Sequence, residues 1–198
     1  MCEWCGGVEA LAGEEGSKSV TGAMSRPGGD MSGAVSQGTL RIVKVFWWLD
    51  AGLARQRHCP SLAWLSSYRL YPQALDQWYR DNIASDYPEI RTKISSLLQV
   101  EAELQEIVQL VGSDALPIDQ QLTLEVARMI REYFLQQNAF HDVDTFTPLD
   151  LQYAMAKAIL TFQEESEKAI AGGAGLEEVV NVPARTDLMR GRFEQGYG

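Results

Sequence analysis

The sequence is short of the residues that build metal centres and nucleic-acid surfaces. Its two histidines, His58 and His141, stand apart, with no second histidine at helical spacing. Its three cysteines are Cys2 and Cys5, in a C-x-x-C pair, and Cys59. A structural zinc site takes four ligands, usually from two such pairs, so Cys2 and Cys5 read as part of a frayed terminus rather than as a metal or redox site. Positive charge is scarce: 17 Lys and Arg face 27 Asp and Glu, a net charge of −10. That excludes a nucleic-acid partner, because neutralising phosphates needs clustered cations. The longest apolar run, Val45 to Leu49, is far below the roughly 18 residues of a membrane span, which excludes direct membrane insertion. Met1 to Ala10 carries Glu3 and Glu9 and no basic segment, so no signal peptide is expected and the location is cytoplasmic.

Hydrophobic residues make up 45% of the 198-residue chain, enough for a packed core in one domain, or in a domain plus a piece of another. Composition changes near Gly38. The glycine-rich stretch before it reads as loops around one or two short strands, the clearest being Ser19 to Met24. Beyond it, helical periodicity dominates. A first helix is expected from about Gln37 to Arg55, then an aromatic, loop-like stretch from His58 to Tyr71, then a short helix from Pro72 to Asn82. The third helix is bounded by Asp86 as a cap, Pro88 in the first turn and Gly112 as a left-handed stop. Ile90, Ile94, Leu97, Leu98, Leu104, Ile107, Val108 and Val111 form its apolar stripe. After Ser113 to Pro117, a fourth helix carries Leu122, Val126, Ile130 and Phe134, making an antiparallel hairpin with an exposed turn. A loop from Gln136 to Phe146 leads to a helix capped by Thr147 and starting at Pro148, with Leu151, Met155, Ile159 and Phe162 inside. Gly172-Gly173 ends it. Short helices over Leu176 to Val180 and Arg185 to Phe193 follow. The fold class is mainly α.

Individual motifs carry little chemistry. Gly13 to Ser19 resembles a phosphate loop only superficially, because Ser17 rather than glycine precedes Lys18, and Glu14 and Glu15 would repel an anion. Glu101/Glu103 and Glu164/Glu165 are carboxylate pairs placed by the helical pattern on solvated faces, where no pKa is tuned for acid-base work. His141-Asp142-Val143-Asp144 reads as a polar loop before a helix. Two segments stand out: the glycine-rich turn Ser25-Arg26-Pro27-Gly28-Gly29-Asp30, and Phe134 to Phe140, where amides and an aromatic end a helix. Amides and an aromatic face suit an adenine pocket, and they equally suit a helix end packing its last ring.

Long segments give these pieces a context. VTGAMSRPGGDMSGAVSQGTLRIVKVFWWLDAGLARQRH (20–58), PSLAWLSSYRLY (60–71), ELQEIVQLVGSDALP (103–117) and LTLEVARMIREYFLQQNAFHDVDT (122–145) together resemble the catalytic A subunit, or alpha chain, of V-type and archaeal-type rotary ATPases, in a bacterial form. The resemblance covers residues 19–192. It implies that residues 19–71 are the end of an α/β nucleotide-binding domain and residues 72–198 the helical C-terminal domain, with residues 1–18 unmatched and disordered. It implies a part in a proton- or sodium-translocating two-sector ATPase or ATP synthase, peripheral to the membrane, that works on ATP or ADP with Mg²⁺. The P-loop and the catalytic glutamate of that family have no counterpart in these residues, so the chain alone is expected to be inactive and to bind nucleotide weakly. Phe140, Gln137 and Asn138 match one side of the family's adenine pocket. Cys59 stands where the family has the opposing aromatic, and losing a base–aromatic stack costs about 1 to 3 kcal/mol. Arg26 stands where the family usually has a second proline. Gly112, Ser113, Asp114, Ala115 and Leu116 match the turn that leans on the central stalk, and the non-catalytic B subunits and stalk subunits are the implied partners. The alternatives are a stand-alone helical interaction module, or a gene fragment that binds no nucleotide.

Overall fold

A computed structural model describes residues 20–24, 33–138, 140–141 and 144–191. The expectations for Cys2, Cys5, Gly13 to Ser19, Ser25 to Asp30 and Phe193, and the disorder expected over residues 1–18, fall outside the described residues. The chain divides into two compact units, residues 1–43 and 44–198. In the first, Val20 to Met24 forms no strand among the described residues, contrary to the pattern read there. Helix α1 spans Ala34–Ile42, preceded by extended Gly33.

In the second unit, the single helix expected over Gln37 to Arg55 is absent. Strand β1 (Val45–Phe46) pairs antiparallel with β2 (Tyr68–Arg69), in the register Val45 to Arg69 and Phe46 to Tyr68. An isolated bridge joins Leu49 to Leu62. The run Val45-Phe46-Trp47-Trp48 is β-branched and aromatic, side chains that fit a pleated surface better than a helix face. The Phe46 and Tyr68 rings stack across the pair at 5.9 Å. Helix α2 (Ala51–Arg55) starts afresh, capped by the Asp50 carboxylate, which accepts from the Leu53 amide at 2.8 Å.

From here the helices follow the periodicity closely. Helix α3 covers Pro72–Asn82, with proline in its first turn. Helix α4 runs for 25 residues, Tyr87–Val111. Asp86 precedes it without capping it. Its carboxylate instead accepts from the Tyr153 hydroxyl at 2.7 Å and the Lys157 ammonium at 3.1 Å, so a tertiary partner outcompetes the local amides. Gly112 has φ 84 and ψ 158. The positive φ calls for glycine, while ψ lies outside the left-handed helical well that the stop signal suggested. A 3₁₀ turn, Ser113–Ala115, leads into α5 (Ile118–Met129). The last turn of that helix widens into a π-helix over Ile130–Leu135, closed where the Gln136 amide donates to the Arg131 carbonyl. Helix α6 spans Leu149–Ala171. Pro148 is its cap, and the Thr147 hydroxyl donates to the Asp144 carbonyl instead of capping the helix. Helices α7 (Leu176–Val180) and α8 (Pro183–Gly191) finish the described chain.

The core lies where α4, α5 and α6 meet. Ile90, Ile94 and Leu98 from α4 pack with Leu122, Val126 and Met129 from α5, then Ile130, and Ala156, Ile159 and Leu160 from α6. Each fully buried large aliphatic contributes about 1.5 to 3 kcal/mol relative to exposure. The α4 stripe stops facing the core after Leu104. Ile107 and Val111, expected inside, are exposed.

Candidate functional site

The predicted residues fall in two places. The first is a wall built from the turn at residues 57–60 and the segment after α5. Arg57 takes a left-handed φ of 58, and the Cys59–Pro60 peptide is cis. The Cys59 carbonyl accepts from the Gln137 amide at 2.5 Å, so the fold brings together two residues that lie far apart in sequence. His58 lies beside Trp64, with ring centroids 5.7 Å apart. Its Nδ1 lies 3.1 Å from the Pro60 carbonyl and its Nε2 3.2 Å from the Arg131 carbonyl. The turn is therefore tied both to the π-helix, through Arg131, and to the segment that follows it, through Gln137.

Asp144, read from sequence only as part of a polar loop, is buried, and its Oδ2 accepts from the Asn138 amide at 2.5 Å. The Asn138 side chain is committed to the turn, since its Oδ1 accepts from the Phe140 amide at 3.0 Å. The Gln137 side-chain amide donates to the Asp144 carbonyl at 3.5 Å. These bonds hold a turn that leaves Phe140 98% exposed. An aromatic ring on a hydrogen-bonded turn, with both faces open, is a surface a planar ring can stack on. Cys59 is exposed and free, with no π-face to offer.

The second place is the tip of the α4–α5 hairpin. Gly112, Ser113, Asp114 and Ala115 are exposed, as the turn pattern implies. Leu116 is 7% exposed and faces inward, so it cannot join an outward contact. The tip's apolar surface comes instead from Ile107, Leu110, Val111 and Ile118, all exposed, with Leu110 at 86%.

Besides Asp144, sequence reasoning missed a second buried charge. Glu101, assigned to a solvated face, is 5% exposed, and its Oε1 lies 2.8 Å from Arg131 Nη2. Burial pushes its carboxyl above the ordinary glutamate value, and the Arg131 charge pulls the other way. Its place in the stripe carried the signal: it sits between Leu98 and Leu104 on the same helical face, at the spacing that brings side chains into line. Glu164 and Glu165 are exposed, with Lys93 and Lys168 as partners.

An apolar groove of about 1200 Å³ runs along α6 between Tyr133, Phe162, Val179, Val182 and Leu188. None of the predicted site residues lines it. Among the described residues no cluster of three or more His, Cys, Asp or Glu could hold a metal, and no described helix is long and apolar enough to cross a membrane.

Comparison with known proteins places this geometry. The family described as the C-terminal domain of V and A type ATP synthase matches residues 76–180, the span from α3 into α7. Over 195 residues, 98% of the chain, the sequence is 51% identical to the A subunit of the A-type ATP synthase from Methanosarcina barkeri. It is 53% identical to the corresponding protein of Natronomonas pharaonis over 195 residues. It is 51% identical to V-type ATP synthase alpha chain 1 of Clostridium tetani over 181 residues, 91% of the chain. The chain spans about a third of the length of these curated relatives: 34%, 33% and 31%. With the hairpin, the core and the turn after α5 all inside the matched stretch, the chain belongs to the family of V and A type ATP synthase C-terminal domains.

Proposed function

We propose that the chain works as the rotor-facing end of a rotary ATPase or ATP synthase catalytic subunit, coupling ATP turnover to movement of a central stalk and, through it, to proton or sodium translocation. The observation that carries this reading is the α4–α5 hairpin, a stiff pair of packed helices whose free end presents Ile107, Leu110, Val111 and Ile118 to solvent. Packed helices move as units, so a displacement at the base arrives at the tip as a push on whatever rests there. At the base, Phe140, Gln137 and Asn138 form one wall of an adenine pocket, and Cys59 occupies the opposing position without a stacking face. Gly13 to Ser19 lacks the Gly-Lys pair of a phosphate loop, so phosphates and Mg²⁺ would be held by parts of the complex outside this sequence. The chain alone is accordingly inactive in phosphoryl transfer, which depends on a lysine, the metal and a positioned water. The central-stalk and non-catalytic B subunits are the partners, with residues 19–71 as the nucleotide-domain portion and residues 72–198 as the helical portion.

The test is co-purification of the full chain with a central-stalk protein of the same complex. Leu110→Asp together with Val111→Asp should abolish capture while leaving helicity by circular dichroism unchanged. Undiminished capture by the double variant would remove the tip from the contact.

A further inference from the structure

The buried Glu101–Arg131 pair plays no part in the proposed function, and neither does the imidazole of His58. They are linked. Arg131 is the second residue of the π-helix, its side chain a third exposed, with Nη2 on Glu101 and no hydrogen-bond partner for Nε among the described residues. Its carbonyl closes the π-turn by accepting from the Gln136 amide at 3.0 Å and also faces His58 Nε2. His58 Nδ1 faces the Pro60 carbonyl, and the Cys59 carbonyl between them accepts from the Gln137 amide. A continuous path therefore leads from the middle of α4, through the Arg131 side chain and backbone, to both segments of the wall.

The arrangement is costly for a merely structural contact. Burying a carboxylate against a guanidinium contributes little net stability, and an apolar pair of the same volume serves a core as well or better. What a charged, hydrogen-bonded pair adds is direction: it fixes the rotation of α4 relative to the π-turn, where greasy side chains would slide. A π-turn is also a place where an inserted residue re-aims the chain beyond it, often at a functional site. Both ring nitrogens of His58 face carbonyl oxygens, which only accept, so a ring with one N–H donates to one of them, Pro60 or Arg131, while lying between the two segments.

We propose that Glu101, Arg131 and His58 are positioning residues that set the geometry of the adenine wall according to the position of the α4–α5 hairpin. The functional consequence rests on the reading of Cys59, Gln137 and Phe140 as that wall. The relay itself does not, because it can be read at the Gln137 amide without nucleotide. If the relay holds, a change in the hairpin alters how firmly Gln137 is bound to Cys59, and the converse.

Amide hydrogen exchange on the full chain tests it, comparing Gln137 with Val126 in the sealed core. A lost hydrogen bond to a charged group raises local opening by about tenfold. Glu101→Ala should speed Gln137 exchange by about that factor, and His58→Phe, which loses a neutral hydrogen bond, by about threefold, each beyond any change at Val126. Glu101→Gln retains an acceptor for Arg131 and should stay close to wild type. Leu98→Ala, which removes a core contact from the same helix, should speed Val126 without raising Gln137 relative to it. Should Glu101→Ala fail to fold, Arg131→Met keeps the carbonyl and cuts the same link. The proposal is overturned if Glu101→Ala or Arg131→Met, together with His58→Phe, raises Gln137 exchange no more than Leu98→Ala does. Titration of the assembled complex with a fluorescent ATP analogue separates the two readings: an affinity unchanged by Phe140→Ala removes the adenine wall and leaves the exchange result standing.

Discussion

The aromatic segment at residues 44–71 and the α4–α6 bundle are both built from apolar-rich sequence, yet they bury it very differently. In the bundle, Leu122, Val126, Met129 and Ile130 are sealed from solvent. In the segment, Trp47, Leu49, Leu65, Leu70 and Tyr71 stay exposed. Three long helices can each turn one stripe toward a shared axis and bury it completely. Two strands of two residues have too little ladder and only one neighbour, so many of their side chains find nothing to cover them. The bundle thus buries its apolar stripes, and the segment leaves many of its own side chains in solvent.

That contrast can be broken by mutation. Leu122→Ala should be the most damaging change, costing about 2 to 5 kcal/mol in urea unfolding, since it opens a cavity in the bundle. A loss well under about 1 kcal/mol would mean that the core repacks freely. Gly112→Ala should cost about 1 to 3 kcal/mol by the same measurement, because φ 84 with ψ 158 is essentially a glycine conformation. Nothing lies within 4 Å of the added carbon, so any loss reads backbone strain rather than a clash.

Two carboxylates sharpen the comparison within the bundle through their opposite responses to pH. The Glu101 carboxyl is raised by burial, so its contribution is fully present below its unfolded value and is lost as pH rises through the folded one. Asp86 is lowered, first by the Tyr153 hydroxyl and then by Lys157, so its contribution is present above its unfolded value and is lost as pH falls through the folded one. Across unfolding midpoints measured from about pH 3 to about pH 7, Glu101→Gln should gain on wild type as pH rises, while Asp86→Asn should fall behind. Parallel curves for the two variants would contradict the burial difference. Smallest of all, Trp47→Ser should shift stability by no more than about 0.5 kcal/mol, as for an exposed surface site. A larger loss would place Trp47 in a core.

The helices from Pro72 onward were legible because each carries a 3.6-residue stripe between recognisable stops: Pro72, Pro88, Gly112 and Gly172-Gly173. The same logic misread residues 43–48, where a dense apolar run satisfies a helical and a pleated pattern alike, and the partner strand lies more than twenty residues on. Of the site, the exposed tip and the amide-rich turn could be located from sequence. The commitments of Asp86, Asp144 and Glu101 could not, because each depends on which distant group arrives beside the carboxylate.

By itself, then, the sequence determined the family, the mainly α class, the hairpin and its exposed turn, since local periodicity and long matched segments are properties of contiguous residues. Only the tertiary structure decided that Leu116 turns inward while Leu110 faces solvent, that residues 45–46 pair with 68–69, and that Glu101 is buried against Arg131. Burial and pairing are relations between segments, and a carboxylate's character follows from the charges and the solvent that the fold leaves around it.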